Sequence, residues 1–481
     1  MREGADTLRA RARGGVVLLT LAKHAPAFAM LYLPPAIWAA ADGTWALAVH
    51  LLWPSAVAIA VFAAVWRMPL PDDLGALEAM VAVALVFLIG AVGAVPAFHA
   101  LGMPLPDALF EAMSGLTTTG LSVASAPDAW PFAAHALRAW LQWVGGLVIA
   151  TAVLALILPA GVPTRRLGEA GMDEADRIAS TRRKARQLLS VYLGLTVLMG
   201  AATLAAIPDG REAVVLTLAA ISTGGFAPRA DSLASYSGLA QGVVMLTCLL
   251  GSVSLLTYAL ALKGRFGDAW HLGSLRRVLS ALAILCAIYA VALAASGDVT
   301  AAEGYRRLLD LVSALTTAGY STGGMPLPGF AMTLFFVAMI LGADTGSTGG
   351  GLKLSRAVLM LQAFRYALRA PSMPERSVTP LRQDGEKVAD RTIIGVLALA
   401  FIYAGAALLV CGHFTWRGYP LAPALFETLS ALSTVGLSAG LVGPDLPWDL
   451  KLSLIFAMWL GRLEFIAVLV LFLPRTWQKG R

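Results

Sequence analysis

Ser114-Gly-Leu-Thr-Thr-Thr-Gly-Leu121 is the first of four stretches in this chain that say nearly the same thing. The others are Ala219-Ala-Ile-Ser-Thr-Gly-Gly-Phe226, Ser313-Ala-Leu-Thr-Thr-Ala-Gly-Tyr320 and Ser430-Ala-Leu-Ser-Thr-Val-Gly-Leu437. Each runs small, small, Leu or Ile, Ser or Thr, then Thr-x-Gly and an apolar residue. The closing glycines, Gly120, Gly225, Gly319 and Gly436, are 105, 94 and 117 residues apart. Four copies at domain-scale spacing mark one unit repeated four times. A polar hairpin repeated four times in a very apolar chain predicts a four-sided pore.

Composition sets the class. Of 481 residues, 58% are hydrophobic and 14% charged, whereas soluble domains carry roughly 25% charged residues. That excludes an ordinary soluble enzyme. The net charge of +7 raises nucleic acid as a partner, but the basic residues cluster in loops between apolar spans, as in membrane proteins. Membrane lipid is therefore the expected partner, and nucleic acid is not. The first apolar run, from about Val16, lacks a small-residue cleavage site, so no secretory signal is expected. Cys248, Cys286 and Cys411 all fall within predicted helices, where neither a disulfide nor a metal cluster is expected.

A membrane helix needs about 20 apolar residues. Two such runs, 15–40 and 44–66, lead the chain. The four repeated segments are then flanked by 74–98 and 131–158, by 184–207 and 238–262, by 274–296 and a long run from 329 to about 368, and by 389–413 and 448–474. The expected fold is an all-α membrane protein of about ten transmembrane helices, one of them broken. A leading two-helix hairpin (1–70) precedes four parallel repeats of helix, pore helix and helix (71–165, 166–265, 266–370 and 371–481), set pseudo-fourfold around one pore. Assigning loops alternately puts 28 Lys and Arg residues on the side holding both termini. Only five, Arg211, Arg229, Arg306, Arg307 and Arg417, lie on the side of the repeated segments. This places both termini in the cytoplasm. Each unit has two full spans, so all four copies face the same way about an axis normal to the membrane.

Non-helical backbone at membrane depth is tolerated only where protein buries it or it lines a wet cavity. Four such strands offer rings of carbonyls, plus the hydroxyls of Thr118, Thr223, Thr317 and Thr434, and such rings replace a cation's hydration shell. The expected cation ligands are Thr118, Thr119 and Gly120; Thr223, Gly224 and Gly225; Thr317, Ala318 and Gly319; and Thr434, Val435 and Gly436. Each short helix ends at this filter, so its negative dipole end favours positive charge there. Small-residue packing between helices would not place a Thr two residues before each Gly. Three residues ahead of each leading small residue stand Glu111, Asp310 and Glu427, with Leu216 in the second unit. Three roles are open to these acids: complementing the dipole of the pore helix, tethering the filter loop by a hydrogen bond, or setting a cation-attracting field interrupted in one quadrant.

These motifs resemble the Trk/Ktr/HKT superfamily of potassium transporters, most closely the TrkH membrane subunit of bacterial Trk systems. Phe110-Glu-Ala-Met-Ser-Gly-Leu-Thr-Thr-Thr-Gly120 looks like the family's first filter and Ile221-Ser-Thr-Gly-Gly-Phe226 its second. Gly346-Ser-Thr-Gly-Gly-Gly-Leu-Lys353 looks like its broken-helix segment and Gly461-Arg-Leu-Glu464 its last helix. The leading hairpin is similar to TrkH rather than to the shorter Ktr proteins. The resemblance implies K⁺ as transported ion, with no covalently bound cofactor, and a location in the bacterial inner membrane. It also implies a homodimer with one pore per protomer, and a TrkA-like cytoplasmic subunit that binds nucleotides. Three departures stand out: Ala219 replaces the leading Ser, Gly224 fills the variable position, and Asp344 sits where a small or neutral residue is expected.

The run from 329 is too long and glycine-rich for one span. Gly342-Ala-Asp-Thr-Gly-Ser-Thr-Gly-Gly-Gly351 breaks it, since glycine costs about 1 kcal/mol in a helix interior. This loop is expected beneath the filter as an intramembrane gate, with Asp344, Gly346, Ser347, Thr348, Gly349, Gly350 and Gly351 as its working residues. A phosphate loop would end in Gly-Lys-Ser/Thr after a soluble strand, and a linker would not continue into apolar helix on both sides. Arg462, deep in the span 448–474, is a functional residue by default, read as an electrostatic barrier in the pore; a structural salt bridge is the alternative. Glu464, two residues on, points to another face, and Lys353 reads as a surface anchor for the loop.

No Gly-x-Gly-x-x-Gly motif and no nucleotide-sized soluble domain occur, so nucleotides would act only through a separate subunit. Three functions compete. The first is a channel-like potassium-uptake subunit. The second is a K⁺/H⁺ or K⁺/Na⁺ symporter of the same fold, for which Asp344 is the candidate ion-coupling carboxylate. The third is an intramembrane enzyme, but the six histidines form no His-Glu-x-x-His pattern. No catalytic residues are expected.

Overall fold

Lipid offers the backbone no hydrogen-bond partners, so every long apolar run must become a helix. The computed structural model describes residues 12–69, 75–152, 174–295, 300–323, 329–372, 381–384 and 386–478. The expected unit boundaries at 70/71 and 165/166 lie outside these residues. Helices Gly14–Lys23 and Ala25–Ala41, bent by 41° at His24, and Trp45–Val65 form the leading hairpin.

Four units follow, each with an outer helix, a short helix and a returning helix. They are Ala76–Ala100, Leu105–Leu116 and Phe132–Ala152; then Glu174–Ala206, Gly210–Ile221 and Gly238–Ser252; then Ser274–Ala295, Ala301–Thr316 and Phe330–Leu341; and last Asp390–Trp416, Leu421–Leu432 and Trp448–Arg462. Each returning helix packs against the short helix of the next unit, and the fourth packs against the short helix of the first. The ring is thereby closed. A two-stranded hairpin, Arg382–Gln383 paired with Glu386–Lys387, precedes the last unit.

Local chemistry starts the short helices. Asp209 accepts hydrogen bonds from the N–H groups of Arg211 and Glu212, and Thr300 accepts from that of Glu303. Each cap satisfies donors that a helix start leaves orphaned. Pro104 and Pro420 precede the other two.

The outer surface is apolar. In the most apolar window of Asp390–Trp416 only 22% of residues are buried inside the protein, and Phe401, Leu408, Leu409 and Trp416 point outward. A soluble protein does not expose so broad an apolar belt. The chain is a multi-pass membrane protein.

Among the described residues, five helices are individually long and apolar enough to cross a bilayer, and up to eight if each bent pair counts as one span. The other two expected spans are the returning helix of the first unit, which carries Arg138 and Gln142, and the interrupted third one. The sequence pointed to one broken returning helix, and the structure bends two more. Gly238–Ser252 turns by 88° into Leu255–Ala261, and Trp448–Arg462 turns by 118° into Ile466–Phe472. Hydropathy measures how well a run tolerates lipid, not whether its helix is continuous, so these bends left no trace in it.

Candidate functional site

The four Thr-x-Gly segments converge on one axis. Thr118, Thr223, Thr317 and Thr434 all take left-handed backbone, with φ of 52°, 52°, 57° and 48°. A β-branched residue is rarely found there, and such conformations cost roughly 1–3 kcal/mol each. Four in equivalent places mean that the surrounding packing imposes them. The closing glycines have φ from 76° to 98°, and each lies against the next segment. A Cβ on Gly120 would overlap the carbonyl oxygen of Gly224, one on Gly225 that of Ala318, one on Gly319 that of Val435, and one on Gly436 that of Thr119. The succession passes through all four segments and returns to its start.

Hydroxyls add to the carbonyls. The Oγ1 atoms of Thr118 and Thr434 are buried without a hydrogen-bond partner among the described residues. Thr223 donates to the Ser222 carbonyl at 2.7 Å, and Thr317 accepts from the Gly350 N–H at 2.7 Å. Two unspent hydroxyl oxygens beside a collar of close-set carbonyls form an oxygen-rich lining that suits a desolvated monovalent cation.

The acids ahead of the segments are tethers. Glu111 accepts from the Ser122 hydroxyl at 3.0 Å and the Val123 N–H at 3.3 Å. Asp310 accepts from the Thr322 N–H at 2.6 Å and its hydroxyl at 2.8 Å. Glu427 accepts from Ser438, Ala439 and Leu441 at 2.7, 2.8 and 3.1 Å. Each carboxylate thus pins the strand that leaves its own Thr-x-Gly segment. Glu111 also pairs with Arg138 at 2.9 Å, and both side chains are buried.

The glycine loop between Phe330–Leu341 and Leu354–Arg369 lies where the short helices end. The Thr348 hydroxyl donates to the carbonyls of Ile221 and Gly251, each at 3.0 Å. Gly350 reaches Thr317, and a Cβ on it would overlap both the Ser433 carbonyl and the Thr434 hydroxyl. The loop therefore touches the second, third and fourth segments at once. Gly346, Ser347 and Gly349 line the same turn, with the Ser347 hydroxyl bonded to the Asp344 carbonyl at 2.5 Å.

Asp344 has a structural account. Its carboxylate accepts from Arg277 at 2.8 Å and from the Ser355 N–H, at the start of the next helix, at 3.0 Å. Arg277 also holds Asp384, in the hairpin, at 2.8 Å. Lys353 corrects an expectation: it is buried rather than superficial, and its Nζ donates to the Gly349 carbonyl within the loop.

Arg462 ends its helix beside this loop. Its guanidinium donates to the Thr348 carbonyl at 2.8 Å and to the Gly145 carbonyl at 3.3 Å. No carboxylate pairs with it among the described residues, so the salt-bridge alternative is not what the geometry shows. Glu464 turns away and pairs with Arg356. Sequence reasoning missed Arg277, whose partner is 67 residues away, and Gln142. A lone amide in an apolar span was the available signal for the latter.

Comparison with known proteins now places the chain. The family model for TrkH, described as a cation transport protein, matches residues 80–262 and 272–479. The Trk system potassium uptake protein TrkH of Halomonas elongata is 30% identical over 394 residues, covering 78% of this chain and 80% of that protein. The protein of the same description from Escherichia coli is 28% identical over 406 residues, covering 78% and 80%. The crystal structure of the potassium transporter TrkH from Vibrio parahaemolyticus matches with a TM-score of 0.84 at 23% identity, over 96% of this chain and 99% of that one. That likeness speaks for the fold. A family pattern matched along most of the length and a relative at 30% identity carry the membership: this chain belongs to the TrkH family of cation transport proteins.

Proposed function

We propose that this chain is the ion-conducting subunit of a potassium-uptake system, with its four Thr-x-Gly segments as the filter. The observation that carries the reading is the closed succession of glycine-to-carbonyl contacts, from Gly120 to Gly224, Gly225 to Ala318, Gly319 to Val435 and Gly436 to Thr119. A ring of this kind presents inward oxygens to a desolvated K⁺. The relatives named as potassium uptake proteins support the choice of ion. The glycine loop acts as the gate, because it sits against three of the four segments. Arg462 sets a positive barrier beside it.

Channel-like conduction is favoured over symport. Coupling recruits a buried carboxylate that is free to exchange its ion, and Asp344 is committed to Arg277 and Ser355. Membership of a cation-transport family sets the intramembrane enzyme aside. The subunit resides in a bacterial inner membrane with both termini cytoplasmic. It works as a homodimer with a TrkA-like nucleotide-binding partner on the basic cytoplasmic face.

Purified protein in liposomes tests the reading through K⁺, Rb⁺, Na⁺ and Li⁺ flux. K⁺ and Rb⁺ should pass in preference to Na⁺ and Li⁺, with current reversing at the K⁺ equilibrium potential. Reversal displaced by a pH or Na⁺ gradient would establish symport instead.

A further inference from the structure

Besides Ala219, the second unit breaks the pattern of the others at Leu216, Gly224 and Pro228, and one side chain explains these three. We propose that Gln142, on the returning helix of the first unit, is the positioning residue for the second Thr-x-Gly segment and thereby a determinant of ion selectivity. This rests on the filter reading above and deepens it.

Elsewhere the tether is a carboxylate three residues ahead of the leading small residue. It receives the N–H of the third residue past the glycine: Val123, Thr322 or Ala439. In the second unit that third residue is Pro228, which has no N–H to give, and the acid is replaced by Leu216. Donor and acceptor are missing together, so the second segment must be held by something else.

Gln142 reaches it from outside the unit. Its Nε2 donates to the Gly224 carbonyl at 2.5 Å, and its Oε1 accepts from the Phe226 N–H at 3.2 Å. One amide thus clamps the backbone on both sides of Gly225. The side chain is fully buried, where an unmade hydrogen bond would leave polar groups stranded at a cost of about 1–3 kcal/mol. The clamp also accounts for Gly224. The other segments carry Thr119, Ala318 and Val435 at this position, but a Cβ on Gly224 would overlap the Gln142 side chain. Leu216, Gly224 and Pro228 are therefore three consequences of one substitution of tether.

Gln142 differs from the carboxylates in one respect that bears on conduction. They hold the strand beyond the glycine, whereas Gln142 also donates directly to a carbonyl of the collar. The Gly224 oxygen is thus fixed in place and partly polarised by an N–H, whereas among the described residues no N–H reaches the Thr119, Ala318 or Val435 carbonyl.

The test uses the full chain, purified and reconstituted, with the K⁺/Na⁺ permeability ratio taken from reversal potentials under bi-ionic conditions. Gln142→Met keeps the volume and removes both hydrogen bonds. The expected result is a ratio lowered about fivefold, the equivalent of one net hydrogen bond, with the size-exclusion profile retained. Gly436→Ser, measured alongside, reports on the filter reading itself. An unchanged ratio in Gln142→Met with a lowered ratio in Gly436→Ser overturns the proposal and leaves the filter standing. Unchanged ratios in both overturn the filter as well. If Gln142→Met fails to fold, Gln142→Glu replaces it, keeping the acceptor for Phe226 and losing the donor to Gly224. A shifted ratio then supports the proposal, and an unshifted one sinks it.

Discussion

Replacing Arg462 by Met should raise K⁺ flux, and the size of the rise follows from the geometry. The guanidinium lies buried against the Thr348 and Gly145 carbonyls, unpaired with any carboxylate among the described residues. A cation roughly 8 Å away feels about 2 kcal/mol of repulsion at an effective dielectric near 20, and about 0.5 kcal/mol if the path is as wet as bulk water. Removing the charge therefore raises unitary conductance between about 2-fold and about 30-fold. The same substitution deletes a charged hydrogen bond to the loop, worth about 1.5–3 kcal/mol, so the open fraction also rises. Folding stability should fall, since the buried Thr348 and Gly145 carbonyls lose their donor at about 1–3 kcal/mol each, so flux is compared at matched folded protein. Single-channel recording in planar bilayers separates the two effects. Arg462→Lys sharpens the test: it keeps the charge and shortens the reach, so conductance should hold while open fraction rises. Equal or lower flux in Arg462→Met, at matched protein, would refute both the barrier and the latch.

Gly436→Ser places a side chain where φ is 98° and the Thr119 carbonyl already lies. The K⁺/Na⁺ permeability ratio should fall, and an unchanged ratio would count against the filter. Asp344→Asn weakens the pair with Arg277, which still keeps Asp384. Unfolding temperature should drop with a loss of about 1–3 kcal/mol while the reversal potential stays put; lost uptake at unchanged unfolding temperature would mark Asp344 as an ion-coupling group instead. Lys451 and Asp107 form a buried pair at 2.7 Å between the fourth returning helix and the first short helix. Lys451→Met or Asp107→Leu alone should cost about 3–5 kcal/mol, and the double variant far less. Strictly additive losses in denaturant unfolding would show that the pair does not help close the ring.

Some of the tethering was legible in advance. Glu111, Asp310 and Glu427 stand at a fixed offset from each Thr-x-Gly segment, and their partners lie only 11 to 14 residues further on. Such a contact recurs with the unit, so the repeat announces it. Gln142 could not be seen this way. Its partners belong to another unit, 82 and 84 residues away, and nothing repeats it. The departure at Gly224 was visible as a departure, but its cause was a neighbouring side chain.

The four repeated segments, the apolar spans between them and the clustering of positive charge were enough to specify a four-part membrane pore. These properties are local: a helix in lipid satisfies its own backbone, and a repeat carries its conformation with it. The pairings that link one unit to another were not so readable. Arg277 with Asp384, Lys451 with Asp107 and Arg462 with Thr348 join residues of different units and form only once the units close into their ring. Which buried charge meets which partner depends on that closure, because burial makes every polar group seek the nearest complement in space, wherever along the chain it happens to lie.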